Sequence, residues 1–400
     1  TGLYPTRTGV VYNDWPGRTA GPFPPIHQRL AEAGYEVAHV GVHHIRVDPP
    51  LEQRVDFALW ESGAGYADYC RELGIDPNPH EGDRFRRLIR DVVGGEVVER
   101  HYSNTRTEAW PHPAEHFKDR WFARRAAEFL RRDHDRPFAL FLYLWAPHPP
   151  LRPPEPYFSM FDPDRLELPA HVGVPSPGDP PGRRDALAAQ IAEGVPLEQW
   201  RRVWSAHLGL VRLADDALGE VLDTLEDSGH ADRTVTVFTV DHGDQLGQHG
   251  MYQKMEMYEP AIRVPQIWHV PGAAPGRIDA PVSHLDIVPT LCDLLGLDAL
   301  EDADGFSLAD CLREGAPPPE RAVFSQFSGG PDVGFPRRAV IRGRWKYVYA
   351  PEEGRELYDL ETDPLEMDNL AGDASHADVV SDLHEECRRW HEARGDWVEY

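Results

Sequence analysis

The sequence predicts an α/β fold: a mostly parallel sheet covered by helices on both faces, with a small C-terminal antiparallel α+β subdomain. Three observations carry that reading. Amphipathic helical stretches alternate with near-continuous apolar strands, the pattern of strands buried on both faces. From about Ala322 the alternation gives way to short strands and one last helix. At 400 residues the chain has room for one large and one small domain, and we divide it into residues 1–318 and 319–400.

The elements follow in order. Residues 26–41 (IHQRLAEAGYEVAHVG) read as a helix closed by Gly34 and then a strand. From Phe117, FKDRWFARRAAEFLRRDHDRP is a helix that stops before Pro137, and FALFLYLW (138–145) is a continuous apolar strand. A long helix runs from near Leu197 to Gly229, with TVTVFTV (234–240) as the strand behind it. VPQIWHV (264–270) adds a strand and HLDIVPTLCDLLGL (284–297) a helix. The proline-rich PHPPLRPPEPYF (147–158) and VPSPGDPPGRR (174–184) are surface loops, where function concentrates. The last part reads as strands AVFSQF, RAVIRGRWKYVYA and ELYDL, then a helix near 376–393.

Composition narrows the function classes. A net charge of −26 with no basic stripe argues against a nucleic-acid partner. No run of about 18 apolar residues predicts a membrane span. An anionic substrate must therefore be held by local charge, a metal or a few cations in a cleft. Cys70, Cys292, Cys311 and Cys387 show neither CxxC nor framework spacing and read as free thiols.

In open α/β sheets, ligands bind beyond the carboxyl ends of the strands. Three such ends carry polar clusters: GVHHIRVDPP, APHPPL and DHGDQLGQHG. They deliver His44 (beside His43), His148, and Asp241 with His242 to one edge. A carboxylate and an adjacent imidazole can reach one ion if the chain turns sharply, which Gly243 permits. The same Asp-His-Gly also reads as ordinary turn chemistry after a strand. Singly, Lys254 also reads as a solvated surface charge, His148 as a loop histidine between prolines, and Asn13 as a turn residue.

The order of these blocks resembles the sulfatase branch of the alkaline phosphatase superfamily, over essentially the whole chain. TGLYPTRTGVVYN is similar to the segment directly after that family's catalytic-cysteine signature. FALFLYLWAPHPPLRPPEPYF resembles its strand and loop with a sulfate-contacting histidine. TVTVFTVDHGDQLGQHGMYQKMEMYEPAIRVPQIWHVPG is similar to the block with two metal ligands and an active-site lysine. SHLDIVPTLCDLLGL, DGFSL and WKYVYAPEEGRELYDLETDPLEMDNLA resemble its closing helix, linker and C-terminal subdomain.

The resemblance implies an alkaline-phosphatase-like fold and hydrolysis of sulfate monoesters, with a small-molecule or carbohydrate sulfate ester as substrate. It makes Asp241 and His242 metal ligands and Lys254 a contact to the sulfate or leaving-group oxygen. His148 becomes a sulfate ligand or leaving-group acid, and Asn13 a contact to the bound oxyanion. His44 matches the histidine of the family's Gly-Lys-x-His element and would assist the nucleophile or the leaving group. The implied cofactors are one divalent metal and a formylglycine made from a cysteine. We expect Ca2+, with Mn2+ as the alternative because an imidazole at 242 suits a transition ion.

Two departures stand out. Val42 occupies the lysine position of the Gly-Lys-x-His element. No Cys-x-Pro-x-Arg or Cys-x-Ala-x-Arg signature is present, nor an N-terminal strand with two further Asp ligands. The expectation is an N-terminally truncated member, without its first strand and nucleophile helix, inactive as it stands. Two other readings stand beside it: a phosphonate monoester or phosphodiester hydrolase on the same scaffold, and a non-catalytic oxyanion-binding homologue.

Overall fold

Alternate residues of β1 (Glu36–Gly41) divide the larger part of the molecule into two layers. Ala38 and Val40 pack with Phe122, Ala126 and Phe129 of the helix Lys118–Leu130, while Val37 packs with Leu30 of the helix Ile26–Glu32. This computed structural model describes residues 1–11, 19–76, 83–93, 96–180, 182–329 and 336–400. β2 (Phe57–Glu61) pairs with one edge of β1 in parallel. β3 (Arg86–Val93) and β4 (Glu96–Ser103) form a separate antiparallel hairpin. β5 (Phe138–Tyr143) takes the other edge of β1, again parallel.

β6 (Thr236–Thr239) and β7 (Gln266–His269) are strands where the sequence places them. They form an antiparallel pair of their own rather than joining the parallel sheet. The outer edge of β5 therefore carries no strand among the described residues. A cavity of about 2840 Å³ borders both strands, lined by residues 138–144 and 235–240 without a break. Successive strand residues point to opposite faces, so an unbroken lining means that the cavity runs along strand edges. Leu208, Val211 and Leu222 of the helix Leu197–Asp227 contribute to its lining, as do Leu291 and Leu295 of the helix Ile287–Leu295.

The C-terminal part is closed by comparison. β8 (Val323–Phe327), β9 (Arg337–Arg342), β10 (Trp345–Ala350) and β11 (Gly354–Asp359) form an antiparallel sheet in the order β11-β10-β9-β8. Gly343, at φ +57°, makes the tight turn from β9 to β10. On one face Val340, Tyr347 and Leu357 pack with Leu383 and Cys387 of the helix Ala377–Glu392. Elsewhere Ala339 and Val348 pack on Met257, three residues beyond Lys254.

Buried ion pairs fasten this sheet to the larger part. Arg183 reaches Glu356 at 2.5 Å and Glu256 at 3.1 Å. Arg337 reaches Glu256 at 3.4 Å, and Lys346 reaches Glu259 at 3.1 Å. All three cations are buried. The sheet thus clamps residues 255–259, the segment that leaves Lys254.

Candidate active site

β5 runs straight into the turn that carries His148. Asp119, at the start of the helix Lys118–Leu130, holds that turn: its Oδ1 accepts the backbone N–H groups of Trp145 and Ala146 at 2.5 and 2.9 Å. His148 donates its Nδ1–H to the Pro149 carbonyl at 2.6 Å, which leaves Nε2 as an acceptor. Lys254 Nζ lies 2.9 Å from that Nε2 and donates to it. Burial, then the charge of Lys254, holds the His148 pKa down at about 4, so the ring stands neutral. Burial also lowers Lys254, against the opposing pull of Asp244 and Asp241.

Lys254 reaches this position through a loop in which Leu246, Gly247, His249, Gly250 and Gln253 all have positive φ. Asp244 ties the loop together. Its Oδ1 accepts the backbone N–H groups of Leu246 and Gln253 at 3.0 Å each, and burial raises its pKa to about 6.

Asp241 and His242 follow β6 after one residue, Val240. His242 donates Nδ1–H to the Gly243 carbonyl at 2.8 Å, the same tautomer as His148. Its Nε2 lies 3.3 Å from Asp241 Oδ2. Two donors on one divalent ion with bonds of ~2.1–2.4 Å stand roughly 3.0–3.5 Å apart, so the pair fits as part of a cation shell. No third His, Cys, Asp or Glu joins them among the described residues.

Gly243 is required for a different reason than turn freedom. A Cβ there would lie 2.0 Å from the Pro260 carbonyl oxygen, so the need is close backbone approach. His44 is exposed and lines the same cavity as His148, Lys254, Asp241 and His242. No hydrogen bond ties it to them among the described residues. Asn13 lies outside the described residues.

The sequence reading passed over Asp119, Asp244 and His284. His284 Nε2 lies 3.3 Å from Thr239 Oγ1, at the end of β6. A Ser-x-x-Asp capping box, Ser283 to Asp286, sets the helical turn that presents it and was the available signal. Asp119 had none, because its partners lie 26 and 27 residues away.

With this geometry in place, residues 1–297 match the family model described as Sulfatase, and residues 247–393 match one described as N-sulphoglucosamine sulphohydrolase, C-terminal. The chain is 30% identical over 387 residues to choline-sulfatase of Rhizobium meliloti (strain 1021), covering 92% of this chain and 71% of that protein. It is 25% identical over 371 residues to arylsulfatase of Clostridium perfringens, covering 90% of this chain and 76% of that protein. The crystal structure of the phosphonate monoester hydrolase of Agrobacterium radiobacter shares the fold, with a TM-score of 0.79 at 23% identity over 98% of this chain and 84% of that one.

Proposed function

This chain belongs to the sulfatase family of sulfuric ester hydrolases, and we propose that a sulfate ester is held where the ends of β5 and β6 meet the cavity. The observation that carries this reading is the 2.9 Å contact of Lys254 Nζ with a neutral His148, on the same cavity as Asp241 and His242. Lys254 brings a largely desolvated ammonium to the ester oxygens, where charge-assisted hydrogen bonds are strongest. Its lowered pKa also suits it to protonate the leaving oxygen. His148, with its proton committed to Pro149, orients that ammonium and is an acceptor rather than an acid near neutral pH.

Asp241 and His242 would hold a divalent cation, Ca2+ on our reading and Mn2+ as the alternative, together with donors beyond the described residues. When bound, such an ion neutralises charge on the non-bridging oxygens. His44 serves the leaving-group side. None of the four cysteines lines the cavity. We therefore assign the nucleophile, a formylglycine on the family pattern, to residues outside these 400. The cleft along β5 and β6 is the place for the strand that leads to it. The 400-residue chain is then expected to hydrolyse aryl sulfates negligibly.

Calorimetry with inorganic sulfate and with methylphosphonate tests the site. Sulfate should bind the wild-type chain and bind Lys254→Ala about tenfold or more weakly. Equal affinity in the two would remove the assignment. Tighter binding of methylphosphonate would favour the phosphonate reading, to which Val42, an apolar residue where the family pattern has a cation, already points.

A further inference from the structure

The hairpin β3–β4 borders the same cavity and plays no part in the chemistry above. Its two strands are in simple register, with Arg86 across from Ser103, Leu88 from His101 and Arg90 from Glu99. Cross-strand partners share a face, so Arg86, Leu88 and Arg90 stand together, and all three are exposed. Arg86, Arg90 and His101 of that face line the cavity that holds Lys254 and His148.

The hairpin is fixed in place rather than loosely attached. Gln253, adjacent to Lys254, donates its Nε2–H to the Ser103 carbonyl at 2.8 Å. That contact sets Arg86, the partner of Ser103, at the end of the hairpin nearest Lys254. Further along, Gln190 grips the Arg90 backbone twice, accepting its N–H at 3.1 Å and donating to its carbonyl at 2.8 Å.

The charges on this arm are unusual for the molecule. Acidic residues outnumber basic ones 67 to 41, so carboxylates are plentiful. The flanking Arg84 and Arg87 use them, pairing with Glu108 and Glu193. Arg86 and Arg90 form no ion pair among the described residues. Arg90 still has Glu99 across the ladder, whereas Arg86 faces only the Ser103 hydroxymethyl group. Arg86 is therefore the more available cation, with Arg90 about 13 Å further along the strand.

We propose that the β3–β4 hairpin is the specificity arm of this site, and that Arg86 binds a second anionic group, a sulfate or carboxylate, on the same substrate molecule. This rests on the assignment of the scissile sulfate to Lys254. The substrate class that fits is a sugar carrying at least two negative groups rather than a simple alcohol sulfate.

Calorimetry on the 400-residue chain tests it, with N-acetylglucosamine 6-sulfate and glucosamine 2-N,6-O-disulfate as probes at low ionic strength. The disulfated sugar should bind wild type about tenfold more tightly than the monosulfated one. Arg86→Gln should abolish that difference and leave the monosulfated sugar unaffected, and Arg90→Gln should reduce it less. Both changes are at exposed positions, so the fold should tolerate them. Equal affinities in wild type, absent binding included, would overturn the proposal, and so would a preference that survives Arg86→Gln. Lys254→Ala separates the two assignments. If it spares the disulfated sugar while Arg86→Gln abolishes the preference, the hairpin site stands and the Lys254 assignment falls.

Discussion

β5 and β10 are both six-residue strands rich in aromatic side chains, FALFLY and WKYVYA, yet they end in opposite surroundings. β10 has β9 on one edge and β11 on the other, and four of its six residues are buried, Lys346 among them. β5 is the more apolar of the two, has a neighbour on one edge only among the described residues, and is half-buried throughout. Neighbours, not the hydrophobicity of a strand, decide its burial. The consequence for function follows the same division. The closed sheet clamps the segment leaving Lys254, and the open strand edge borders the cavity where His148 and Lys254 meet.

Acid should expose the difference most strongly. His27 and His39 have pKa values held down at about 3, and His148 and His207 at about 4, chiefly by burial, all in the larger part. The C-terminal helix holds His391, at about 4. Each is neutral when folded and takes a proton below about 6.5 when unfolded, so the unfolded state binds more protons and stability falls as pH drops from about 6.5 towards 4. At pH 5.5 each such histidine costs on the order of 1 kcal/mol. Glu366, next to the C-terminal sheet and raised to about 7, acts in the opposite sense: its contribution is present in acid and lost as pH rises through that value. Hydrogen exchange between pH 7 and 5 should therefore show β1 and β5 losing protection before β9 and β10. The reverse order would break the comparison.

Arg183→Ala comes next. Removing it leaves Glu356 buried without its cation and Glu256 and Glu353 with Arg337 alone, and denaturant unfolding should register a loss of about 3–5 kcal/mol. A loss under about 1 kcal/mol would mean that the clamp contributes little.

A matched pair of leucines is a milder probe. Leu357, fully buried in β11, should cost about 2–5 kcal/mol on truncation to Ala. Leu142, half-buried in β5, should cost about 1 kcal/mol, because it already stands beside open space. Similar costs at the two sites would show that the cleft is filled in solution.

The smallest effect concerns metal. Two donors hold a divalent ion weakly, so EDTA should leave the thermal midpoint of the 400-residue chain within ~1 °C of its value without chelator. A fall of several degrees would mean that donors within these residues complete the shell.

Much of this was legible in the sequence. β1, β5, β6 and β7 lie where the apolar runs put them, and the change of pattern at Ala322 announces the antiparallel sheet. Strand direction was not legible, because periodicity is the same either way, so the antiparallel pairing of β6 with β7 came only from the structure. The hairpin β3–β4 escaped as well: its arginines and valines carry no continuous apolar run. Among the candidate site residues, His148, Asp241 and His242 were visible because strand ends gather polar groups at one edge, whereas Lys254 was singled out only by the family resemblance. Asp119 was not legible, since its partners lie 26 and 27 residues away, and His284 had its capping box as the one local signal. At Gly243 the sequence suggests a residue that permits a sharp turn, and its neighbour Pro260 shows a point of close packing.

The central claim is that Lys254 and a neutral His148 form one oxyanion-binding unit. NMR of the His148 ring nitrogens during titration with inorganic sulfate, in wild type and Lys254→Ala, addresses it most directly. The expected result is a neutral ring protonated at Nδ1 at pH 7, with a sulfate-dependent shift at Nε2 that disappears in Lys254→Ala. An imidazolium at pH 7, or ring signals indifferent to sulfate, would contradict it.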